Sequence, residues 1–117
     1  MSRLFGTEDL LVSPSDVPDD ALLIDVREPY EWSAGHIPGS RHVAIDRLAE
    51  AVPELPRELP IVLVCLAGVR AAMCAAALRT TDLTVRVLDH GLRGWVAAGR
   101  PLDRPEATLA AHGEPPP

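Results

Sequence analysis

The four residues Ile61-Val62-Leu63-Val64 are apolar without interruption. A strand with one wet face alternates apolar and polar residues, so a run with no polar position is buried on both faces. That pattern belongs inside a parallel sheet covered by helices on either side. Directly after it come Cys65-Leu66-Ala67-Gly68-Val69-Arg70 and then the alanine-rich stretch 71–78. The chain therefore passes from a buried strand, through a tight loop, into a helix. Amides at a helix N-terminus lack intrahelical partners and carry about half a positive charge, which stabilises an anion there. A cysteine so placed is set up as a thiolate, the form that acts as nucleophile. Cys65 is the candidate catalytic residue. Ala67 and Gly68 are small enough to let backbone amides converge on one point beside it.

The other elements follow the same alternation. Leu22-Leu23-Ile24-Asp25-Val26 reads as a second buried strand ending at Arg27. Pro29 suits the first turn of a short helix over 28–34, which Gly35 stops. Pro38-Gly39 occupies the centre of a type II turn, and His42-Val43-Ala44 reads as a brief strand. Asp46 is expected to cap a helix reaching Val52, broken by Pro53 and Pro56. Val69, Met73 and Ala76 recur at helical spacing and are expected to form the apolar stripe of the helix after Cys65. Val85–Leu88 is a further strand and Leu92–Ala98 a short helix. A first strand falls near Leu10–Val12, with a turn or helical turn around 14–18. Strand–helix alternation of this kind predicts an α/β domain with an open, mostly parallel sheet.

At 117 residues the chain is expected to be one domain, with residues 103–117, ending in Glu-Pro-Pro-Pro, as a frayed tail. It contains no lysine, its net charge is −6 and it has four aromatic residues, Phe5, Tyr30, Trp32 and Trp95. Scattered arginines on an acidic chain leave neither a basic stripe nor stacking platforms, so nucleic acid is set aside as a partner. No apolar stretch approaches the roughly 20 residues that span a bilayer, and the N-terminus lacks the long apolar segment of a secretory leader. A soluble, cytoplasmic protein without a membrane partner is expected. Cys74 lies nine positions after Cys65, roughly 10 Å or more away at the helical rise, beyond the reach of a disulfide. It reads as a small buried helix residue. His42 and His90 have no ligand spacing with each other or with Cys65, so no metal site is expected.

Ligands of an open parallel sheet bind beyond the carboxyl ends of its strands. Cys65, Asp25-Val26-Arg27 and Asp89-His90-Gly91 all fall there. The strings Asp25-Val26-Arg27-Glu28-Pro29, Gly35-His36-Ile37-Pro38-Gly39-Ser40, Cys65 to Arg70, and Gly91 with Gly94-Trp95 and Gly99-Arg100-Pro101-Leu102 resemble, in order and spacing, the single-domain rhodanese (thiosulfate sulfurtransferase) family. The resemblance covers about residues 8–102. It implies a five-stranded parallel sheet flanked by helices and a Cys65 that cycles between thiolate and persulfide. The amides of Leu66, Ala67, Gly68, Val69 and Arg70 would cradle the terminal sulfur. Asp25 and Arg27 would brace neighbouring loops, Arg70 would close the cradle and pair with a carboxylate, and His36 would hydrogen-bond backbone to fix its turn. The implied partners are a small sulfur donor and a thiophilic acceptor, with protein-borne persulfides as a further class. No metal or organic cofactor is called for.

Two alternatives stand beside this one. A non-catalytic binding or regulatory module uses the same fold, although the intact Cys65 speaks against it. Cysteine-dependent phosphatases of related fold carry one more residue between Cys and Arg, which widens the loop for a phosphoryl group; here Arg70 stands five positions after Cys65. One residue departs from the family pattern. Many members place Arg or Lys directly after the cysteine, where it helps to hold an anionic donor, and this chain has Leu66. Thiosulfate is therefore expected to be a poor donor, and an apolar or protein-borne persulfide a better one, unless Arg93 or Arg41 supplies the missing charge.

Overall fold

The computed structural model describes residues 10–103. Five strands, β1 (Leu11–Val12), β2 (Leu22–Asp25), β3 (Arg41–His42), β4 (Ile61–Val64) and β5 (Val85–Leu88), form one sheet in the order β1-β5-β4-β2-β3. Every pairing is parallel, with β4 central between β2 (Leu22 opposite Ile61) and β5 (Ile61 opposite Val85). Three helices lie between the strands, α1 (Pro29–Ala34), α2 (Ile45–Ala51) and α3 (Val69–Leu78), and α4 (Gly91–Ala97) follows β5. Short 3-10 turns cover Pro14–Asp16 and Val52–Glu54. None of these helices is long and apolar enough to cross a membrane.

All four residues of β4 are buried, and the pleat divides them between two cores. Ile61 and Leu63 pack with Ile24, Leu48, Leu55 and the inner face of α3, while Val62 and Val64 pack with Val12, Ile37, Leu88, Leu92 and Trp95. The uninterrupted apolar run is thus the consequence of helices on both sides of the sheet.

Local signals explain the element ends. Pro29 opens α1, Glu31 accepts the Glu28 amide proton at 3.0 Å, and the Gly35 amide closes the helix on the Trp32 carbonyl at 3.1 Å. The turn Ile37–Ser40 closes with a 3.0 Å bond from the Ser40 amide to the Ile37 carbonyl.

Three expectations need correction. The inner face of α3 is Ala71, Cys74, Ala75 and Leu78; Val69 and Met73 are 70% and 72% exposed, and Ala76 is exposed too. A helix apolar nearly all round has no single stripe for its period to pick out, and the small alanines let it sit close on the sheet. Asp46 does not cap α2, whose N-cap position is Ala44; Asp46 lies within the first turn. The third strand is Arg41–His42 rather than 42–44. Of the expected tail only Asp103 is described, and it pairs with His36 through two backbone hydrogen bonds; residues 104–117 lie outside the described residues.

Candidate functional site: the Cys65 loop

Cys65 follows the last residue of β4 at the carboxyl edge of the sheet and is 1% exposed. Its Sγ accepts hydrogen bonds from the Gly68 amide at 3.1 Å and the Ala71 amide at 3.3 Å. The sulfur thus sits where the first turn of α3 presents its unpaired donors. Ala71 lies one residue beyond the span 66–70 in which the sequence places the cradle. Its signal was the helix phase: the amide that reaches back to the loop is the third of the helix.

The loop is also held from behind. The Leu92 amide donates to the Cys65 carbonyl at 2.8 Å and the Arg93 amide to the Leu66 carbonyl at 3.0 Å. With both carbonyls drawn toward the start of α4, the loop amides are turned to the other side. Gly91 permits this approach: its φ is +57°, and a Cβ there would stand 2.8 Å from the Leu66 carbonyl.

Arg70, on the first turn of α3, makes a two-pronged ion pair with Glu31 of α1, at 2.8 Å and 3.1 Å. Partial burial alone would raise the Glu31 carboxyl, but the hydrogen bonds from Arg70 and from the Glu28 amide outweigh it and hold that carboxyl below its ordinary value. The same hydrogen bond raises Arg70, and the nearby Cys65 adds to it. The pair fastens α1 to the cysteine loop.

Asp25 and Arg27 form a second, fully buried pair, 1% and 3% exposed, with Nη2 to Oδ2 at 2.8 Å. Arg27 also donates to the Gly35 carbonyl at 2.7 Å, and Asp25 accepts the Arg27 amide proton at 3.0 Å. The pair ties the end of β2 to the end of α1. The contacts of His36 are with Trp32 and Asp103. Its ring stacks on Trp32 at 3.5 Å, its Nδ1 bonds the Trp32 carbonyl at 2.9 Å, and the His42 ring stacks on Trp32 from 5.1 Å. His90 has a left-handed backbone (φ 61°) and an exposed ring. Cys65 and Cys74 are both free, and burial, then the neighbouring Cys65, pushes the Cys74 thiol up. Among the described residues no His, Cys, Asp or Glu cluster could hold a metal ion.

Beside the loop, between α1 and α4, lies an open cavity of about 430 Å³. Its walls are Tyr30, Ala34, Leu66, Leu92, Val96 and Leu102, and Arg27, Glu31 and Arg93 also reach it. Sequence reasoning missed this space. It depends on the segment after α4 folding back, where Trp95 Nε1 donates to the Pro101 carbonyl at 2.8 Å and Arg100 covers the indole at 4.1 Å.

A parallel α/β sheet with a cysteine at the end of its central strand, the sulfur set on the amides of the next helix, defines a class of cysteine-loop domains. The Rhodanese-like domain family matches residues 8–98, and the chain belongs to it. It is 33% identical, over an alignment 130 positions long that covers 91% of this chain, to an HTH-type transcriptional regulator of Mycobacterium tuberculosis, of which it spans only 55%. It is 32% identical over 81 residues to the thiosulfate sulfurtransferase GlpE of Pseudoalteromonas translucida, covering 68% of this chain and 77% of that one. A rhodanese-related protein from Thermoplasma volcanium has the same fold, with a TM-score of 0.74, 26% identity, and coverage of 79% and 95%.

Proposed function

We propose that this chain is a sulfurtransferase that carries a sulfane sulfur on Cys65. The observation that carries the proposal is the Cys65 Sγ held by the Gly68 and Ala71 amides at the end of the central strand. In the first half-reaction the thiolate attacks the outer sulfur of a donor. The donor's sulfur–sulfur bond breaks, its electron pair leaves with the departing group, and Cys65 becomes a persulfide anion. In the second, a thiophilic acceptor attacks the terminal sulfur and Cys65 leaves as thiolate, a two-step exchange. The amides of residues 66–71 stabilise the terminal sulfur anion as preorganised donors that need no reorientation. Arg70, spent on Glu31, closes the loop as a brace. That engagement, with the short Cys-to-Arg spacing, favours sulfur over a phosphoryl group.

The test is intact mass after incubation of reduced protein with thiosulfate and, separately, with a small organic persulfide. A gain of one sulfur that cyanide reverses, absent in Cys65→Ser, is expected. No gain from either donor on folded protein would overturn the proposal. The likeness to a transcriptional regulator favours a second reading, a binding module whose cysteine reports rather than turns over. Repeated turnover of a donor–acceptor pair excludes it.

A further inference from the structure

The outward face of α3 breaks a rule that the other helices keep. A helix on the surface of a soluble domain turns polar side chains to water, and one that is apolar all round is buried. The other three helices each expose a polar side chain: Ser33 on α1, Asp46, Arg47 and Glu50 on α2, and Arg93 on α4. The exposed residues of α3 are Val69, Met73, Ala76 and Ala77, and the first two are 70% and 72% exposed. Arg70 at one end is engaged with Glu31, and Arg79 at the other donates from Nε to the Val85 carbonyl at 3.1 Å. Thr80, just beyond the helix, gives its hydroxyl proton to the Ala77 carbonyl at 2.7 Å. The centre of this face therefore offers a partner apolar surface and no charged side chain.

Two features fit a second copy of this chain. Bulk is graded along the face, with valine and methionine toward its N-terminal end and alanines toward its C-terminal end. Two such helices packed antiparallel set the bulky half of each on the small half of the other, the self-complementarity that a two-fold contact requires. Charge agrees with shape. Copies of net charge −6 repel one another, and a face without charges lets them meet without setting like charges together. We infer that two copies of this chain pair about a two-fold axis through the outward faces of α3. Met73 then rests on Ala76 of the second copy, Ala72 on its Ala77 and Val69 beside its Thr80. A face ten residues long spans about 15 Å, short of the roughly 800 Å² per partner of a stable interface. The pair is accordingly weak and forms as concentration rises. It goes beyond sulfur transfer and does not depend on turnover at Cys65.

The experiment is sedimentation equilibrium from about 10 μM to about 1 mM, the range of weak contacts, with peroxide oxidation of Met73 followed by peptide mass over the same range. The mass should rise from 12.6 kDa toward twice that value, and Met73 should oxidise more slowly in step, as the second copy covers its thioether. Salt should strengthen the pairing, because it screens the repulsion between acidic chains. Met73→Glu should stay at 12.6 kDa throughout. Ile45→Glu, which alters a 44% exposed apolar residue on α2, should associate like wild type. Circular dichroism confirms that both variants are folded. A constant wild-type mass, or pairing that survives Met73→Glu, would overturn the inference. Protection of Met73 at every concentration would overturn it too, since a segment of the same chain outside residues 10–103 would then cover the face. So would pairing that salt dissolves, the mark of a charged interface elsewhere.

Discussion

Gly91→Ala is the substitution on which the packing of the cysteine loop can be decided. Two costs add there. An L-residue held in the left-handed region costs about 1–2 kcal/mol, and at φ +57° the new methyl also meets the Cys65 and Leu66 backbone, 2.8 Å from the Leu66 carbonyl. Backbone cannot swing aside like a side-chain tip, and overpacking of that kind adds about 1–3 kcal/mol. Gly39→Ala is the control. Its φ is +80°, and nothing lies within 4 Å of the added Cβ, so only the first cost applies. Both substitutions share the unfolded-state entropy gain, which offsets about 0.4–1 kcal/mol. Gly39→Ala should therefore lose about 1 kcal/mol and Gly91→Ala about 2–4. At about 4–8 °C per kcal/mol for a domain this size, the two should melt at least about 4 °C apart. Urea denaturation and thermal melts measure the difference directly. Sulfur loading per folded molecule should also fall in Gly91→Ala, because the methyl displaces the carbonyls that orient the loop, and should be unchanged in Gly39→Ala. Melting temperatures within about 3 °C of each other would refute the close approach of α4 to the loop.

Three further outcomes follow from other contacts. Asp25→Asn leaves Arg27 buried without its carboxylate and should cost about 3–5 kcal/mol in urea denaturation, with activity per folded molecule far less affected. The Glu31 carboxyl is held low in the folded chain, so the Glu31–Arg70 pair stabilises fully above the ordinary value of 4.5 and its contribution is lost as pH falls through the depressed value. The difference in unfolding free energy between wild type and Glu31→Gln should accordingly be flat above that pH and shrink below it; a difference that grows with acid would contradict the pairing. Met73→Gln, at a position 72% exposed, should change stability by less than about 0.5 kcal/mol, whereas Leu78→Gln on the opposite face should be strongly destabilising.

Much of the architecture was legible because single elements carried decisive signals. The apolar run 61–64 announced a strand covered on both faces, and Pro29 and Gly35 bracketed α1. The position of Cys65 between that run and the alanine-rich stretch 71–78 placed the thiol at a strand-to-helix junction. Legibility ended where two faces of one element were equally apolar. In α3 valine, methionine, cysteine and alanine surround the axis, and only the flat surface of the sheet decides that the alanines face inward. It ended again where contacts depend on distant turns. The Trp32 stack with His36 and His42 needs the turn at Pro38-Gly39 to bring β3 back, and the cavity needs the chain after α4 to fold over Trp95. The Glu31–Arg70 pair joins residues far apart in sequence, and no local pattern advertises it.

The hydrogen bonds made to the Cys65 sulfur and to the carbonyls of Cys65 and Leu66 come from main-chain donors: Gly68 and Ala71 amides on the sulfur, Leu92 and Arg93 amides on the carbonyls. Support for the thiol is therefore written in backbone geometry, and the side chains at 66, 67 and 69 are free of that duty. Mutation can revise what approaches the thiol without dismantling what holds it. A library randomised at those three positions should yield folded members with an accessible range of donor preferences, while position 91 should return glycine almost every time.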